Sequence, residues 1–229
     1  MCCSVFTIEV CMKTVIFDMD GVIFDSEHAV YDGWKELATK YGFKNLEIPY
    51  RKCIGVNAAA SRQIFLEFYG EDFPYDMYCA EQSRNYHAKY DNGNLPMKKG
   101  VHELLTALKA RGYRTAIASS TRLAVVKHQI EAAGLLEFFD CIIGGDMVKK
   151  SKPDPEIFFK VAESLGGAVN EMYVIEDSYN GIRAAHSAGM IPIMVPDMLP
   201  PSEEMEKKAA YILDDLLQVK ELLCKESER

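Results

Sequence analysis

The sequence predicts an α/β fold, a doubly wound parallel sheet with an inserted all-helical domain. Short apolar runs alternate with helical repeats along most of the 229 residues, and one long early segment interrupts that alternation. The strand candidates are residues 14–17, 115–118, 141–143, 173–175 and 191–195.

Helical repeats separate the later strand candidates. Apolar residues recur at the i, i+3, i+4 and i+7 spacing of one helix face over 101–108, and similar stripes cover 123–130 and 157–165. The second stripe ends at Gly134, which is typical of a helix C-cap, and the third ends before Gly166. Strands joined by single helices and short connections favour a parallel, doubly wound sheet.

Residues 27–95 depart from this alternation. They contain helical stretches at 31–41 and 61–69, many aromatic residues and no convincing strand, before the turn-forming stretch DNGNLPMKKG. We therefore expect a helical domain at 27–95, inserted into an α/β core of residues 12–26 and 96–229. Because a strand begins cleanly after a second methionine, Met12, we expect residues 1–11 to be an extension outside the core.

Composition and charge exclude several classes of function. The formal net charge is -8, and no basic cluster is longer than Lys149 and Lys150, so the clustered Lys and Arg of a nucleic-acid surface are missing. No apolar run approaches a membrane span, and the opening residues lack the pattern of a signal peptide. Seven cysteines without CxxC spacing indicate neither a disulfide framework nor a zinc site. We expect a cytoplasmic monomer or weak oligomer that binds neither nucleic acid nor membranes.

Polar side chains follow four of the strand candidates. They are Asp18 and Asp20 after the first, Ser119, Ser120 and Thr121 after the second, Lys152 after the third, and Glu176 and Asp177 after the fourth. Ligands of doubly wound sheets bind beyond the carboxyl ends of the strands. Buried carboxylates this close repel one another unless a cation neutralises them. Three carboxylates beside a bound dianion suit a hard, oxygen-preferring ion, and Mg²⁺ is the expected one.

Four motifs, in this order, resemble those of the haloacid-dehalogenase-like (HAD) superfamily: DMDGVIFDSE, ASS, SKPDPEIF and IEDSYNGIRAAHSAGM. The subgroup that the chain resembles contains β-phosphoglucomutases and small phosphosugar phosphatases, whose helical cap follows the first strand. The resemblance extends from residue 13 to about 215. Asp20 separates the chain from the true dehalogenases, which lack that second aspartate, so the resemblance implies phosphoryl chemistry.

The resemblance also implies a role for each motif residue. Asp18 would be the nucleophile that forms an aspartyl-phosphate, and Asp20 the general acid and base. Lys152 would balance the charge of the phosphoryl group and of Asp18. The implied phosphate ligands are Ser119, Ser120 and Lys152, and the implied Mg²⁺ ligands are Asp18, the backbone carbonyl of Asp20, Asp177 and, in support, Glu176.

The cap loop CIGVNAAASR bears on the choice between a mutase and a phosphatase. The β-phosphoglucomutases have a histidine at the position of Val30, and a lysine and an arginine where this chain has Ile54 and Ala58. Arg62, one helical turn beyond Ala58, could substitute for them, so a mutase stays an alternative. The expected substrate contacts in the cap are Ile54, Val56, Asn57 and Arg62.

We therefore expect a Mg²⁺-dependent phosphomonoester hydrolase acting on a small phosphorylated metabolite, first of all a sugar phosphate. The alternatives are a phosphosugar mutase and a non-catalytic binding or regulatory protein on the same scaffold. Each motif alone has a plainer interpretation: Ser119, Ser120 and Thr121 would cap the helix that follows, and Asp25 and Ser26 would stabilise a hinge. All four motifs together favour the enzyme.

Overall fold

The computed structural model of the chain describes residues 13–54 and 58–226. Its strands are β1 (Thr14–Phe17), β2 (Arg114–Ala118), β3 (Cys141–Ile143), β4 (Met172–Glu176), β5 (Ile191–Met194) and β6 (Tyr211–Ile212). They form one parallel sheet in the order β3-β2-β1-β4-β5-β6, with β1 inside it. This is the doubly wound, Rossmann-like arrangement, and it confirms the predicted fold class.

Ten α-helices lie within the described residues. Four precede β2 in the inserted segment: α1 (Ser26–Tyr41), α2 (Glu47–Cys53), α3 (Ala58–Tyr69) and α4 (Tyr75–Tyr90). The others are α5 (Val101–Ala110), α6 (Leu123–Ala132), α7 (Glu156–Leu165), α8 (Tyr179–Ser187), α9 (Glu203–Lys208) and α10 (Leu216–Glu226). None of the helices in the described part of the chain is long and apolar enough to cross a membrane.

The sheet is buried on both faces, which explains why its strands are continuous apolar runs. Successive side chains of a strand point to opposite faces, so Val15 and Phe17 pack into one apolar cluster with α5 and α10. Ile16 packs into a second cluster on the other face, with Phe158 and Val161 of α7. All five predicted strands are present, each within one residue of its expected ends. The short β6 was not predicted.

The inserted helices enclose a core of their own, here called the cap cluster. Its buried members are Trp34, Leu37, Leu46, Tyr50, Phe65 and Tyr78. The Trp34 and Phe65 rings have centroids 4.8 Å apart. The two predicted helical stretches lie in α1 and α3, and the described residues between α1 and α4 form no strand. The extension proposed at residues 1–11 lies outside the described residues.

Two linkers join the helical cap to the sheet, and they run side by side. Phe24 pairs with Met97 in an antiparallel bridge. The Asp25 amide donates a 2.8 Å hydrogen bond to the Pro96 carbonyl, and the Lys98 amide donates a 2.9 Å bond to the carbonyl of Ile23. The connection between cap and core is therefore a short two-stranded ribbon at the edge of the expected site.

Candidate active site

Asp18 is the first residue beyond the carboxyl end of β1, and a buried lysine holds it. The Lys152 Nζ lies 2.6 Å from Asp18 Oδ1, 2.5 Å from Glu176 Oε1 and 2.8 Å from the Ala118 carbonyl oxygen. The Lys152 side chain is 5% exposed and that of Glu176 1%. No described residue donates a hydrogen bond to the other Asp18 oxygen, Oδ2. One ammonium thus joins the ends of three neighbouring strands.

The loop between β3 and α7 delivers Lys152. Glu156, the first residue of α7, accepts 3.0 Å hydrogen bonds from the backbone amides of Lys149 and Lys150. Asp154 in turn accepts one from the Glu156 amide, and the Lys152–Pro153 peptide bond is cis. The three hydrogen bonds hold the SKPDP segment in a tight turn, and from this turn the Lys152 side chain extends to Asp18.

Glu176, at the end of β4, has protein partners for both carboxylate oxygens. Lys152 binds Oε1, while Ser178 donates to Oε2 from its hydroxyl (2.9 Å) and from its amide (3.2 Å). Helix α8 approaches so closely that a Cβ on Gly181 would lie 1.8 Å from the Glu176 carboxyl carbon. Glu176 therefore supports Lys152, and its predicted place in a metal shell stays a prediction.

The Asp20 carboxylate is held by two hydroxyl groups. Ser26, the first residue of α1, donates a 2.8 Å bond to Oδ1, and Thr121 donates a 2.9 Å bond to Oδ2. In the plainer interpretation of each motif alone, Ser26 stabilises the hinge and Thr121 caps a helix. Thr121 does not cap α6, because the N-cap residue is Arg122 and Asp146 binds the Leu123 amide. Asp20 is thus fixed between the cap and the core.

The remaining predicted residues lie along the same edge of the sheet. Ser119 is fully buried, and its Oγ accepts a 3.0 Å bond from the Thr121 amide, whereas Ser120 is exposed. Asp177 lies against Gly21: a Cβ there would be 2.4 Å from Asp177 Oδ2, and Gly21 has a φ of 76°. The structure therefore brings the Asp177 carboxylate beside the backbone that follows Asp20.

The chain matches the sequence profile of the haloacid dehalogenase-like hydrolases over residues 15–195. The protein belongs to this family. The phosphorylated carbohydrates phosphatase of Thermotoga maritima is 32% identical over 184 residues, which cover 78% of this chain and 82% of that protein. The β-phosphoglucomutase of Bacillus subtilis is 30% identical over 197 residues, 80% of this chain and 83% of that one. The crystal structure of CbbY from Rhodobacter sphaeroides in complex with phosphate superposes with a TM-score of 0.69, at 26% identity over 91% of this chain and 96% of CbbY.

The buried carboxylates of this haloacid dehalogenase-like hydrolase resist ionisation. Burial raises the pKa of Asp18 to about 8; Lys152 opposes the rise, and Glu176 and Asp20 add to it. Burial, followed by the charges of Glu176 and Asp18, raises the pKa of Asp177 well above its ordinary value. For Lys152 burial favours the neutral amine, but the adjacent carboxylates outweigh it and raise the pKa. One ammonium among these acids leaves a deficit of positive charge, so this all-oxygen donor set fits a hard divalent cation.

Two of the predicted substrate contacts in the cap, Ile54 and Arg62, have partners within the cap itself. Ile54 is half-buried and packs on the cap cluster, as does Val30. The Arg62 Nε donates to both oxygens of Asp76, at 3.2 and 3.1 Å, in an exposed pair between α3 and α4. Val56 and Asn57 lie outside the described residues.

Proposed function

We propose that this hydrolase is a Mg²⁺-dependent phosphatase that cleaves small phosphorylated metabolites, sugar phosphates first among them. The single observation that carries the proposal is the pairing of Asp18 with buried Lys152, two residues from an Asp20 carboxylate held by two hydroxyls. The phosphatase from Thermotoga maritima and the phosphate complex of CbbY support the choice of reaction.

In the first step Asp18 acts as the nucleophile. Its Oδ2, which no described residue engages, attacks the phosphorus while Lys152 holds Oδ1. A new oxygen–phosphorus bond forms as the bond to the leaving oxygen breaks, and Asp20 gives that oxygen a proton. The products are an alcohol and an aspartyl-phosphate on Asp18.

In the second step Asp20 becomes the base. It takes a proton from a water molecule as the water oxygen attacks the phosphorus, and the bond between Asp18 and phosphorus breaks. Inorganic phosphate leaves, and Asp18 and Asp20 return to their starting forms. The hydroxyls of Ser26 and Thr121 hold the Asp20 carboxylate in place for both proton transfers.

Positive charge and hydrogen-bond donors stabilise the phosphoryl group in both steps. Lys152 supplies a fixed charge beside Asp18, and Ser119 and Ser120 are the proposed phosphate contacts from the end of β2. Mg²⁺, when held by Asp18, the backbone carbonyl of Asp20 and Asp177, supplies further charge neutralisation and lets the buried carboxylates ionise.

Net hydrolysis is favoured over a mutase by the charges in the cap. A mutase must hold a bisphosphate intermediate while it reorients, which requires cationic groups in the cap. Residues 54–58 include no basic residue. The nearby Arg62 is exposed and already paired with Asp76.

The test is phosphate release from a panel of sugar phosphates and nucleoside monophosphates, with and without Mg²⁺. We expect Mg²⁺-dependent release by the wild type and by the control Asp72→Asn, an exposed carboxylate of the cap, and none by Asp18→Asn. Isomerisation of a phosphosugar without release of phosphate would establish the mutase. No turnover of any substrate would favour the non-catalytic alternative.

A further inference from the structure

The loop that follows β5 carries two residues of the core to the helical cap. Met198 packs against the cap cluster. One residue earlier, Asp197 joins a charged group, here called the hinge cluster, which consists of Asp25, His28, Lys98 and Asp197. The loop therefore contacts both the apolar interior of the cap and its attachment to the core.

Asp197 is the more buried of the two carboxylates in the hinge cluster, with a side chain 1% exposed against 34% for Asp25. Asp197 Oδ1 lies 2.7 Å from Lys98 Nζ and 3.2 Å from His28 Nδ1. Asp25 Oδ1 lies 2.8 Å from His28 Nδ1 and 3.3 Å from Lys98 Nζ. Asp25 belongs to the first linker, Lys98 to the second and His28 to α1. A single carboxylate of the core is thus bonded to the second linker and to the first turn of the cap.

The hinge cluster is an ion-pair network and not a metal site. Ligand atoms of Asp25, His28 and Asp197 do lie within 4.8 Å of one another. However, the Lys98 ammonium contacts both carboxylates, so the position that a cation would fill already has a positive charge. The cluster therefore joins protein segments to one another.

The bonding of Asp197 is asymmetric. Its side chain is 1% exposed. Oδ1 accepts a hydrogen bond from Lys98 and lies 3.2 Å from His28 Nδ1, while the buried Oδ2 has no hydrogen-bond partner among the described residues. A buried oxygen without a hydrogen-bond partner costs free energy of folding. A crevice of about 360 Å³ borders the linkers and is lined in part by Asp25, Met97 and Pro196.

The charge of Asp197 also reaches the candidate active site. Asp197 adds to the burial effect that raises the pKa of Asp177, and it has the same effect on Glu27 in the first turn of α1.

We propose that Asp197 is a positioning residue: through Lys98 and His28 it holds the cap at the angle that completes the active site over a bound substrate. This inference rests on the proposed phosphatase activity. Closing a cap assembles such a site and excludes water from it. An incorrect cap angle therefore slows the turnover of substrates that are bound by the cap. Asp197 touches no reacting atom in this scheme.

The first test is hydrogen–deuterium exchange of the full chain, which needs no activity. The variant Asp197→Asn keeps the shape of the side chain and removes its charge. We expect faster amide exchange in peptides covering residues 23–30 and 95–99, with exchange in α5 and β4 unchanged. Unchanged exchange in both linkers, or faster exchange throughout the chain, would overturn the inference whether or not the protein proves to be a phosphatase.

The second test compares two substrates. For the best sugar phosphate of the panel, Asp197→Asn should lower kcat/KM by about 10- to 100-fold, as misplacement of a remote group does. Acetyl phosphate presents only a two-carbon group to the cap, and its hydrolysis should fall by a smaller factor, because Asp18, Lys152 and the Thr121 hydroxyl that binds Asp20 all belong to the core, while only the Ser26 bond to Asp20 depends on the cap. Equal losses for both substrates would indicate general damage and contradict a positioning role.

A double-mutant cycle supplies a variant that keeps the proposal testable if Asp197→Asn folds poorly. Lys98→Met should reproduce the substrate-selective loss, and the double variant should lose less than the sum of the two single losses, because both variants remove the contact between Lys98 and Asp197, although Lys98→Met also removes the contact with Asp25. Lys99→Met is the matched control, since Lys99 pairs with Asp215 at 2.7 Å in an exposed position and should show wild-type kinetics. Fully additive effects at Asp197 and Lys98 would show that the two residues act separately.

Discussion

Asp20 is bound by hydroxyls from two different parts of the molecule. Ser26 belongs to the first turn of the cap and Thr121 to the loop after β2. Each donates to a different carboxylate oxygen, so the plane of the carboxylate is fixed as well as its position. In the proposed reaction this orients the group that must both give and receive a proton.

Replacing Thr121 with valine tests this orientation at the scale of one residue. Thr121→Val keeps the shape and removes a hydrogen bond that is made to a charged group once Asp20 is a carboxylate in the second step, and that is then worth about 1.5–3 kcal/mol. We expect kcat to fall by about 10- to 100-fold with little change in KM, because that energy corresponds to such a factor. Steady-state kinetics of phosphate release measure both constants.

A matched control separates the specific role of the Thr121 hydroxyl from the general effect of replacing a threonine with valine. Thr39→Val removes the bond from Thr39 Oγ1 to the Lys35 carbonyl on the exposed side of α1, and kinetics like those of the wild type are expected. If Thr121→Val turned over as fast as Thr39→Val, the orientation of Asp20 by Thr121 would be unimportant for the reaction.

Among the secondary-structure elements, α8 has the closest fit to the site. Ser178 caps the helix through the Gly181 amide, and the same hydroxyl donates to Glu176. Because Gly181 has no side chain, the first turn of α8 rests directly on the Glu176 carboxylate. The position of Lys152 therefore depends on how closely this helix approaches β4.

A methyl group at Gly181 is expected to disrupt this fit. Gly181→Ala places its Cβ within bonding distance of the Glu176 carboxyl group, so α8 or Glu176 must move. We expect a loss of about 1–3 kcal/mol in the free energy of unfolding, as overpacking causes, together with a large loss of activity. Chemical denaturation and phosphate release measure the two effects.

The control is a glycine inside another helix. Gly33 lies in α1, where a Cβ would meet the far end of the Gln82 side chain at 3.1 Å. Alanine also favours the helix by about 0.5–1 kcal/mol over glycine, so Gly33→Ala should cost much less stability than Gly181→Ala. Equal losses in the free energy of unfolding at the two positions would show that the contact with Glu176 adds nothing to the cost of the substitution.

Strands were predictable from the sequence where they are fully buried, because burial requires apolar residues. β1 and β4 are buried along their whole length, and residues 15–17 and 172–175 within them are apolar, so their signal is strong. β6 has two half-buried residues, too few to show a period. The motif residues were predicted because each follows a strand, and parallel strand ends meet at one edge.

The hydroxyl partners of Asp20 and the contacts of Asp197 were not predictable in this way. Thr121 is as consistent with a helix cap as with a carboxylate partner, and only the three-dimensional structure distinguishes the two. Asp197 meets Lys98 and His28 across long stretches of sequence, and no local pattern reports such a contact. These positions depend on the packing of the cap against the core.

At the scale of the whole molecule, the buried acids link stability to pH and to metal. The pKa of Asp18 is raised from 3.8 to about 8, and that of Asp177 moves in the same direction. Between these pH values the folded, metal-free protein keeps a proton that the unfolded chain releases. The free energy of unfolding therefore falls as pH rises through this window, by up to about 1.4 kcal/mol per pH unit for one such group.

We expect Mg²⁺ to reverse this trend. With EDTA, denaturation midpoints should be higher at pH 5 than at pH 8, and Mg²⁺ should raise the midpoint at pH 8 by binding the ionised acids of the folded state. Asp177→Asn removes one proposed ligand and should lose most of the Mg²⁺ effect. A midpoint in EDTA that increases from pH 5 to pH 8 would contradict the assignment of these acids.

The position of β1 in the sheet has a consequence for synthesis of the chain. Of the strands in the described part of the chain, β1 is made first, yet it pairs with β2 and β4, which follow the whole helical cap and, for β4, much of the core as well. Such distant pairing slows folding, because the intervening chain must be ordered before the strands meet. The cap helices contact one another locally, so they can associate during translation while β1 is still unpaired. The nascent protein must therefore keep its central apolar strand away from other chains until most of the molecule has been translated.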